Sequence, residues 1–213
     1  MAGNLQGRTR VKANMRIGLV LLLLMNGRLF AQPAGAPVPA VPADQKADLY
    51  AIYSTVLGRP ALSHPDTNRI YVIRDITGTA YSQEPADCIG VPSEYQSRFG
   101  ELLEDFAKRR NQKYRLERAL SIARDYELLD DAGIARFLKE RERDAAPQED
   151  RFAGAVDVIT LGNVYFDRQR TLALVVMNSF CGNLCGFQSW RIFERRDKDT
   201  WVERPWVHCY TIS

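Results

Sequence analysis

The chain has 213 residues, 46% of them hydrophobic, with 29 basic and 26 acidic side chains. Five of the basic residues and none of the acidic ones fall within residues 1–31, which leaves 24 basic against 26 acidic groups in the remainder. That balance provides no strongly basic face, so we predict no nucleic-acid partner.

The first 31 residues are typical of a secretory signal peptide. Basic residues up to Arg16 precede the apolar run 17–25, and Leu29 and Ala31 then stand at the two positions where signal peptidase accepts small or modest side chains. The run is shorter than the roughly 20 residues that cross a bilayer. The alternative to a cleaved signal peptide is an uncleaved N-terminal anchor. Met15 is an alternative start. We predict an exported protein, periplasmic or secreted, without a membrane span after cleavage.

Residues 32–43 contain four prolines among alanines and a glycine, which predicts an extended linker. The 170 residues that follow, 44–213, suit a single domain. Helical spacing of apolar residues predicts helices over 44–57, from Pro92 to Phe106 and over 130–143. Residues 69–77 are rich in β-branched residues and are predicted to form a strand. Residues 113–122 fit either period.

The second half of this domain contains strand-like runs with short, turn-rich links. Such links indicate hairpins and therefore an antiparallel meander. The predicted fold class is α+β, with a helical N-terminal half packed on a C-terminal antiparallel β-meander. The four runs are 156–166, 171–180, 186–194 and 201–212.

The segment "SFCGNLCGFQSW" places Cys181 and Cys185 where one predicted strand ends and the next begins. We favour a disulfide across a hairpin, with Gly182 and Gly186 as structural turn residues, because tight turns need positive φ angles and export favours oxidation. A redox pair is an alternative, although thioredoxin-like sites have two intervening residues and a helix N-terminus. A metal site that includes the two cysteines is the second alternative.

Cys88 and Cys209 are then left for a possible second disulfide. The metal alternative would recruit His208 and Cys209, but adjacent residues of a strand point to opposite faces, so one ion could not bind both. We therefore predict no metal and no cofactor.

Catalytic candidates are few. The chain has two histidines, His64 and His208, and no nucleophile-elbow, zincin or phosphate-loop motif. Asp75 lies in an otherwise apolar strand and needs a partner, for which a structural hydrogen bond is favoured over catalysis. The aromatic C-terminal sheet, including Trp190, Trp201 and Trp206, is explained first by core packing, and exposed members could bind a partner or a glycan.

Three segments of the chain resemble segments found in a group of exported bacterial proteins of unassigned function. The match rests on "VIRDITG", on "VDVITLGNVYFDRQRTLALVVMNSFCGNLCG" and on "DTWVERPWV", mostly residues 70–77 and 156–207. This chain departs from the group at Asp167, where asparagine is commoner, and in its "HCYTIS" ending. The resemblance implies a bacterial exported domain and carries no activity.

We therefore predict a non-enzymatic binding or structural module, stabilised by a Cys181–Cys185 disulfide and with no catalytic residue assigned. Its partner is unknown, with a protein or a small ligand both possible. The alternative is an envelope enzyme, hydrolytic or thiol-disulfide active, centred on Asp75 or on the cysteine pair.

Overall fold

A computed structural model describes residues 37–58, 70–79, 83–142, 152, 155, 157–182, 185–198 and 200–212. The helices are α1 (Ala43–Gly58), α2 (Pro85–Cys88), α3 (Gln96–Arg109) and α4 (Asp131–Glu142), with a 3₁₀ turn over Ser93–Tyr95. The strands are β1 (Tyr71–Arg74), β2 (Tyr126–Leu129), β3 (Val158–Phe166), β4 (Leu172–Gly182), β5 (Cys185–Asp197), β6 (Thr200–Arg204) and β7 (Tyr210–Ile212).

The strands form one mixed sheet in the order β2-β1-β3-β4-β5-β6, and β7 also pairs with β5. Strand β1 is parallel to both of its neighbours, whereas β3 to β6 are consecutive antiparallel strands. The predicted α+β class and the C-terminal antiparallel meander are therefore confirmed.

The N-terminal half departs from the prediction at the unpredicted helix α2, at β2 and in residues 113–122. Strand β2, with four residues, was not predicted, because so short a run has no measurable period. Residues 113–122 form neither helix nor strand. Their backbone instead bonds to the segment that follows β1, where Leu116 N–H donates to the Asp75 carbonyl (2.7 Å) and Tyr114 N–H donates to Thr77 Oγ1 (2.9 Å).

The last predicted strand, 201–212, is divided in two. Strand β6 ends at Arg204, directly before Pro205, which lacks the N–H that a ladder requires. The chain then leaves the sheet and pairs with the segment that follows α2, where Ile89 and Val207 form an antiparallel bridge. Pairing with β5 resumes only at Tyr210.

Alternate residues of the central strands point to opposite faces of the sheet, and both faces are buried. Helix α1 covers one face and α3 covers the other. The face under α1 carries Val164, Phe166, Ala173, Val175 and Phe193. The face under α3 carries Tyr165, Leu172, Leu174, Val176, Trp190 and Ile192.

Strand β3 has a bulge at Gly162, where its register with β4 shifts between Leu161 and Val164. The buried Tyr53 hydroxyl donates to the Gly162 carbonyl over 2.6 Å. A Cβ atom at Gly162 would lie 2.3 Å from Val176 Cγ1 and 3.0 Å from its carbonyl oxygen. Only glycine permits this close approach of β3 and β4.

Candidate functional site

A disulfide joins Cys88, at the end of α2, to Cys209, directly before β7. Their Cα atoms are 5.1 Å apart, and 121 positions of sequence separate them. Two backbone hydrogen bonds support the same contact: Gly90 N–H donates to the Trp206 carbonyl (2.9 Å) and His208 N–H donates to the Cys88 carbonyl (3.0 Å). The predicted presence of a disulfide is thereby confirmed, and this bridge holds the tail against the start of the helical layer.

The tail places Trp206 against Tyr95. The ring centroids are 4.5 Å apart and the rings are tilted by 56°. Both side chains are half-buried. The indole N–H of Trp206 has no hydrogen-bond partner among the described residues and is not one of the fully buried polar groups.

Charged side chains surround this aromatic pair. The Tyr95 hydroxyl donates to Glu194 Oε1 (2.8 Å), and Arg204 donates to Glu194 Oε2 from Nε (2.8 Å) and Nη2. The Arg98 guanidinium lies over the Tyr95 ring, 5.2 Å from its centroid, with Nη1 3.7 Å from Glu194. We call Tyr95, Arg98, Glu194, Arg204 and Trp206 together the Trp206 surface.

A buried carboxylate anchors Arg98 from below. Asp167, in the β3–β4 turn, accepts backbone N–H bonds from Thr171 (2.6 Å) and Leu172 (2.9 Å) through Oδ1. Its Oδ2 accepts bonds from Arg98 Nε (3.0 Å) and from the Thr171 hydroxyl (2.7 Å). Burial alone would raise the pKa of Asp167, but the bonds from Leu172, Thr171 and Arg98 outweigh it and lower that pKa below its ordinary value.

The ionisation states of the Trp206 surface follow from the same contacts. Partial burial acts to raise the pKa of Glu194, but hydrogen bonds from Arg204 and Tyr95 lower it below the ordinary value. The hydrogen bond to Glu194 raises the pKa of Tyr95. At neutral pH the surface therefore holds a carboxylate, a neutral phenol and two guanidinium groups.

A separate polar cleft of ≈ 240 Å³ lies between α3 and the β3–β4 turn. Its acidic side chains have structural partners among the arginines. Asp105 pairs with Arg109 and accepts the Phe166 N–H (2.9 Å), and Arg168 lies 3.3 Å from Glu104. Arg109 also donates to the Val164 carbonyl (2.8 Å). These bonds join α3 to the sheet.

The cysteine corner has the predicted hairpin backbone. Gly182 pairs with Cys185 and Phe180 pairs with Gly186, with a register shift between Phe180 and Gly182. Cys181 is therefore the extra residue of a bulge. The side chains of Cys181 and Cys185 lie outside the described part of the structure, so their disulfide stays a prediction.

Asp75 has the partner that its position required. It forms an ion pair with Arg115, while its side chain is only 13% exposed and its Oδ1 is buried without a hydrogen-bond partner. His64 lies outside the described residues. His208 is exposed and its Nε2 is 3.2 Å from the Asp87 carbonyl oxygen, so it contacts neither Asp75 nor Arg115 through any described bond.

Within the part of the chain that the structure describes, no group of three or more histidine, cysteine or acidic side chains could hold a metal ion. Cys209 is oxidised in its bridge to Cys88 and presents no thiolate for the metal site considered with His208. No helix among the described residues has the length and apolar character needed to cross a bilayer.

Sequence reasoning missed the Trp206 surface as a group. In the sequence Trp206 is one of several aromatics, and Tyr95 lies near the start of the helix predicted from Pro92 to Phe106. Glu194 and Arg204 pair across β5 and β6 in a register that the sequence does not reveal. The one available signal was Pro205, which breaks the strand directly before Trp206.

Comparison of the chain with protein-family models, with curated proteins and with solved structures finds no match.

Proposed function

We propose that this chain is an exported, non-enzymatic binding module that binds its partner on the Trp206 surface. The Cys88–Cys209 disulfide and the predicted Cys181–Cys185 disulfide would stabilise it. The observation that carries the proposal is the Tyr95–Trp206 pair of half-buried aromatic rings. The polar groups beside these rings already form hydrogen bonds with one another. Aromatic and arginine side chains of this kind are enriched among the residues that dominate binding.

Preorganisation supports a binding role. Arg98 is fixed by Asp167, Glu194 is fixed by Arg204, and the main chain of Trp206 is hydrogen-bonded to Gly90. Side chains already fixed in the free protein lose little conformational entropy when a ligand binds. The surface is therefore suited to bind without rearrangement.

The ion pairs elsewhere support a module rather than an enzyme. The acidic groups of the polar cleft are engaged with arginines, and Asp75 is engaged with Arg115. A general acid or base has to be free to exchange a proton with a substrate. The export part of the proposal is supported by the basic and apolar start of the chain and by the disulfide, which suits an oxidising compartment.

The test is a binding experiment with matched surface variants. We would immobilise the wild-type protein, Trp206→Ala and Tyr210→Ala, and expose each to envelope and culture-medium extracts of the producing organism. Tyr210 is the matched control because it is also an exposed aromatic, 64% exposed, but packs with Phe187 at the other end of β5.

We expect the wild-type protein and Tyr210→Ala to retain the same component and Trp206→Ala to lose it. Equal retention by all three proteins, or retention of nothing by the wild-type protein, would refute the proposed function. Thermal unfolding of each variant beforehand establishes that a lost component does not reflect a lost fold.

A further inference from the structure

We infer that the ligand of the Trp206 surface is an uncharged saccharide chain, an inference that rests on the proposed binding function. A pyranose ring has an apolar face of C–H groups and an edge of hydroxyl groups. It therefore needs an aromatic face with hydrogen-bond donors and acceptors directly beside it. The surface combines these features within five side chains.

The aromatic part is the Tyr95–Trp206 pair. The two rings are 4.5 Å apart at 56°, so together they form an angled platform rather than a flat stack. Both side chains are half-buried, so part of each remains at the surface. Aromatic faces carry partial negative charge and attract the weakly positive C–H groups of a sugar ring while removing apolar area from water.

The polar part lies at the rim of this platform. Arg204 uses Nε and Nη2 on Glu194, which leaves its Nη1 group as a donor, and the Trp206 indole N–H is a second donor. Glu194 Oε1 accepts one bond, from Tyr95, and a carboxylate oxygen has room for another. Donors and acceptors side by side match neighbouring hydroxyl groups, each of which both donates and accepts.

The charge pattern argues against an anionic ligand. Two guanidinium groups, on Arg98 and Arg204, face two carboxylates, on Asp167 and Glu194. The local charges cancel, so no field attracts an anion. A ligand carboxylate or phosphate would have to displace Glu194 from Arg204 or lie beside the Glu194 carboxylate. Two adjacent negative charges repel each other.

An array of immobilised oligosaccharides, with neutral and uronic-acid-containing members, tests this inference directly. We expect the wild-type protein to bind neutral members and Tyr210→Ala to bind them equally. Trp206→Ala should weaken binding by about tenfold or more, as removal of an aromatic anchor commonly does. Trp206→Phe keeps a ring but lacks the indole N–H, so its binding should fall between that of Trp206→Ala and the wild-type protein.

A second variant separates folding from binding. Glu194→Gln keeps the side-chain shape and an acceptor oxygen, and it should weaken binding while the disulfide and the Trp206 main-chain bonds remain. If the protein binds only acidic saccharides, if no saccharide binds, or if Trp206→Ala binds as well as the wild-type protein, the inference is overturned. Failure on the array together with Trp206-dependent retention of a protein from extracts would leave the proposed binding function standing and remove only the saccharide.

Discussion

Arg98 Nε donates to Asp167 Oδ2 over 3.0 Å, and this bond joins helix α3 to the turn between β3 and β4. The Asp167 side chain has no solvent exposure, whereas that of Arg98 is 29% exposed. The same carboxylate closes its own turn by accepting the Thr171 and Leu172 N–H groups. One buried side chain therefore determines both the path of the turn and the position of an arginine on the Trp206 surface.

Asp167→Asn should lower the free energy of unfolding by about 1–3 kcal/mol, the range for a hydrogen bond to a charged group and for a buried polar group left unpaired. Asparagine can still accept the two backbone N–H bonds through its oxygen. Its NH₂ group, however, would face the Arg98 N–H, donor against donor. Urea denaturation of the variant and the wild-type protein measures the difference.

The control is Asp197→Asn, at an exposed position near the β5–β6 turn, which should change the free energy of unfolding by less than about 0.5 kcal/mol. Equal effects of the two substitutions would mean that the Asp167 contacts contribute no specific stability.

Stability should decrease in acid because folding lowers the pKa of both Asp167 and Glu194. Their contribution is complete above the ordinary values, 3.8 and 4.5, and is lost as the pH falls through the lower values of the folded state. The urea concentration at the midpoint of denaturation, measured from neutral pH down to acid, should decrease once the pH drops below these pKa values. In Asp167→Asn/Glu194→Gln the decrease should be smaller, and an equally steep decrease would assign the effect to other carboxyl groups.

Gly162→Ala should destabilise the fold by about 1–3 kcal/mol, the usual cost of overpacking a core. The added Cβ would meet Val176 Cγ1 at 2.3 Å. Val176→Ala removes that atom, so adding Gly162→Ala should cost less in the Val176→Ala background than in the wild-type protein. A double-mutant cycle from denaturation data measures this coupling.

Gly100→Ala is the matched control for Gly162→Ala. Gly100 lies inside α3, and a Cβ there has no atom within 4 Å. Alanine should therefore stabilise the helix by up to about 1 kcal/mol. Destabilisation by both alanines would contradict the packing argument.

Replacing both members of the long-range bridge, Cys88→Ser/Cys209→Ser, should lower the free energy of unfolding by about 5 kcal/mol in the chain-entropy model. The reason is the length of the loop that the bridge closes, since 121 positions separate its two ends. Cys181→Ser/Cys185→Ser should have a smaller effect because that loop is only a few residues long. A larger effect of the second pair would reverse this order and place the main constraint at the corner.

Peptide mapping of the purified protein should find Cys181 bonded to Cys185 as well as Cys88 bonded to Cys209. The β4–β5 hairpin brings the two corner cysteines close along the backbone, with Gly182 paired to Cys185. Intact mass with and without reductant gives the number of bridges. Free thiols at 181 and 185, or ready reduction of that bond alone, would instead favour the redox interpretation of the corner.

Features that depend on local pattern can be predicted from the amino-acid sequence of this protein. The period of apolar residues predicted α1, α3 and α4, and turn-rich links between β-branched runs predicted the β3–β6 meander and the α+β class. Helix and hairpin formation are decided by neighbours in sequence, so these elements can be predicted from a single chain. The cysteine count likewise limited the possible disulfides to three pairings.

The contacts between distant segments depend on the three-dimensional fold. Strand β2 exists because β1 is available to pair with it, and residues 206–208 leave the sheet because the segment after α2 offers both hydrogen bonds and a disulfide. The partners of Asp75, Arg98 and Glu194 come from far along the chain. Side-chain pairing across strands and layers depends on register and packing, which no local period encodes, so the Trp206 surface could be found only in the folded protein.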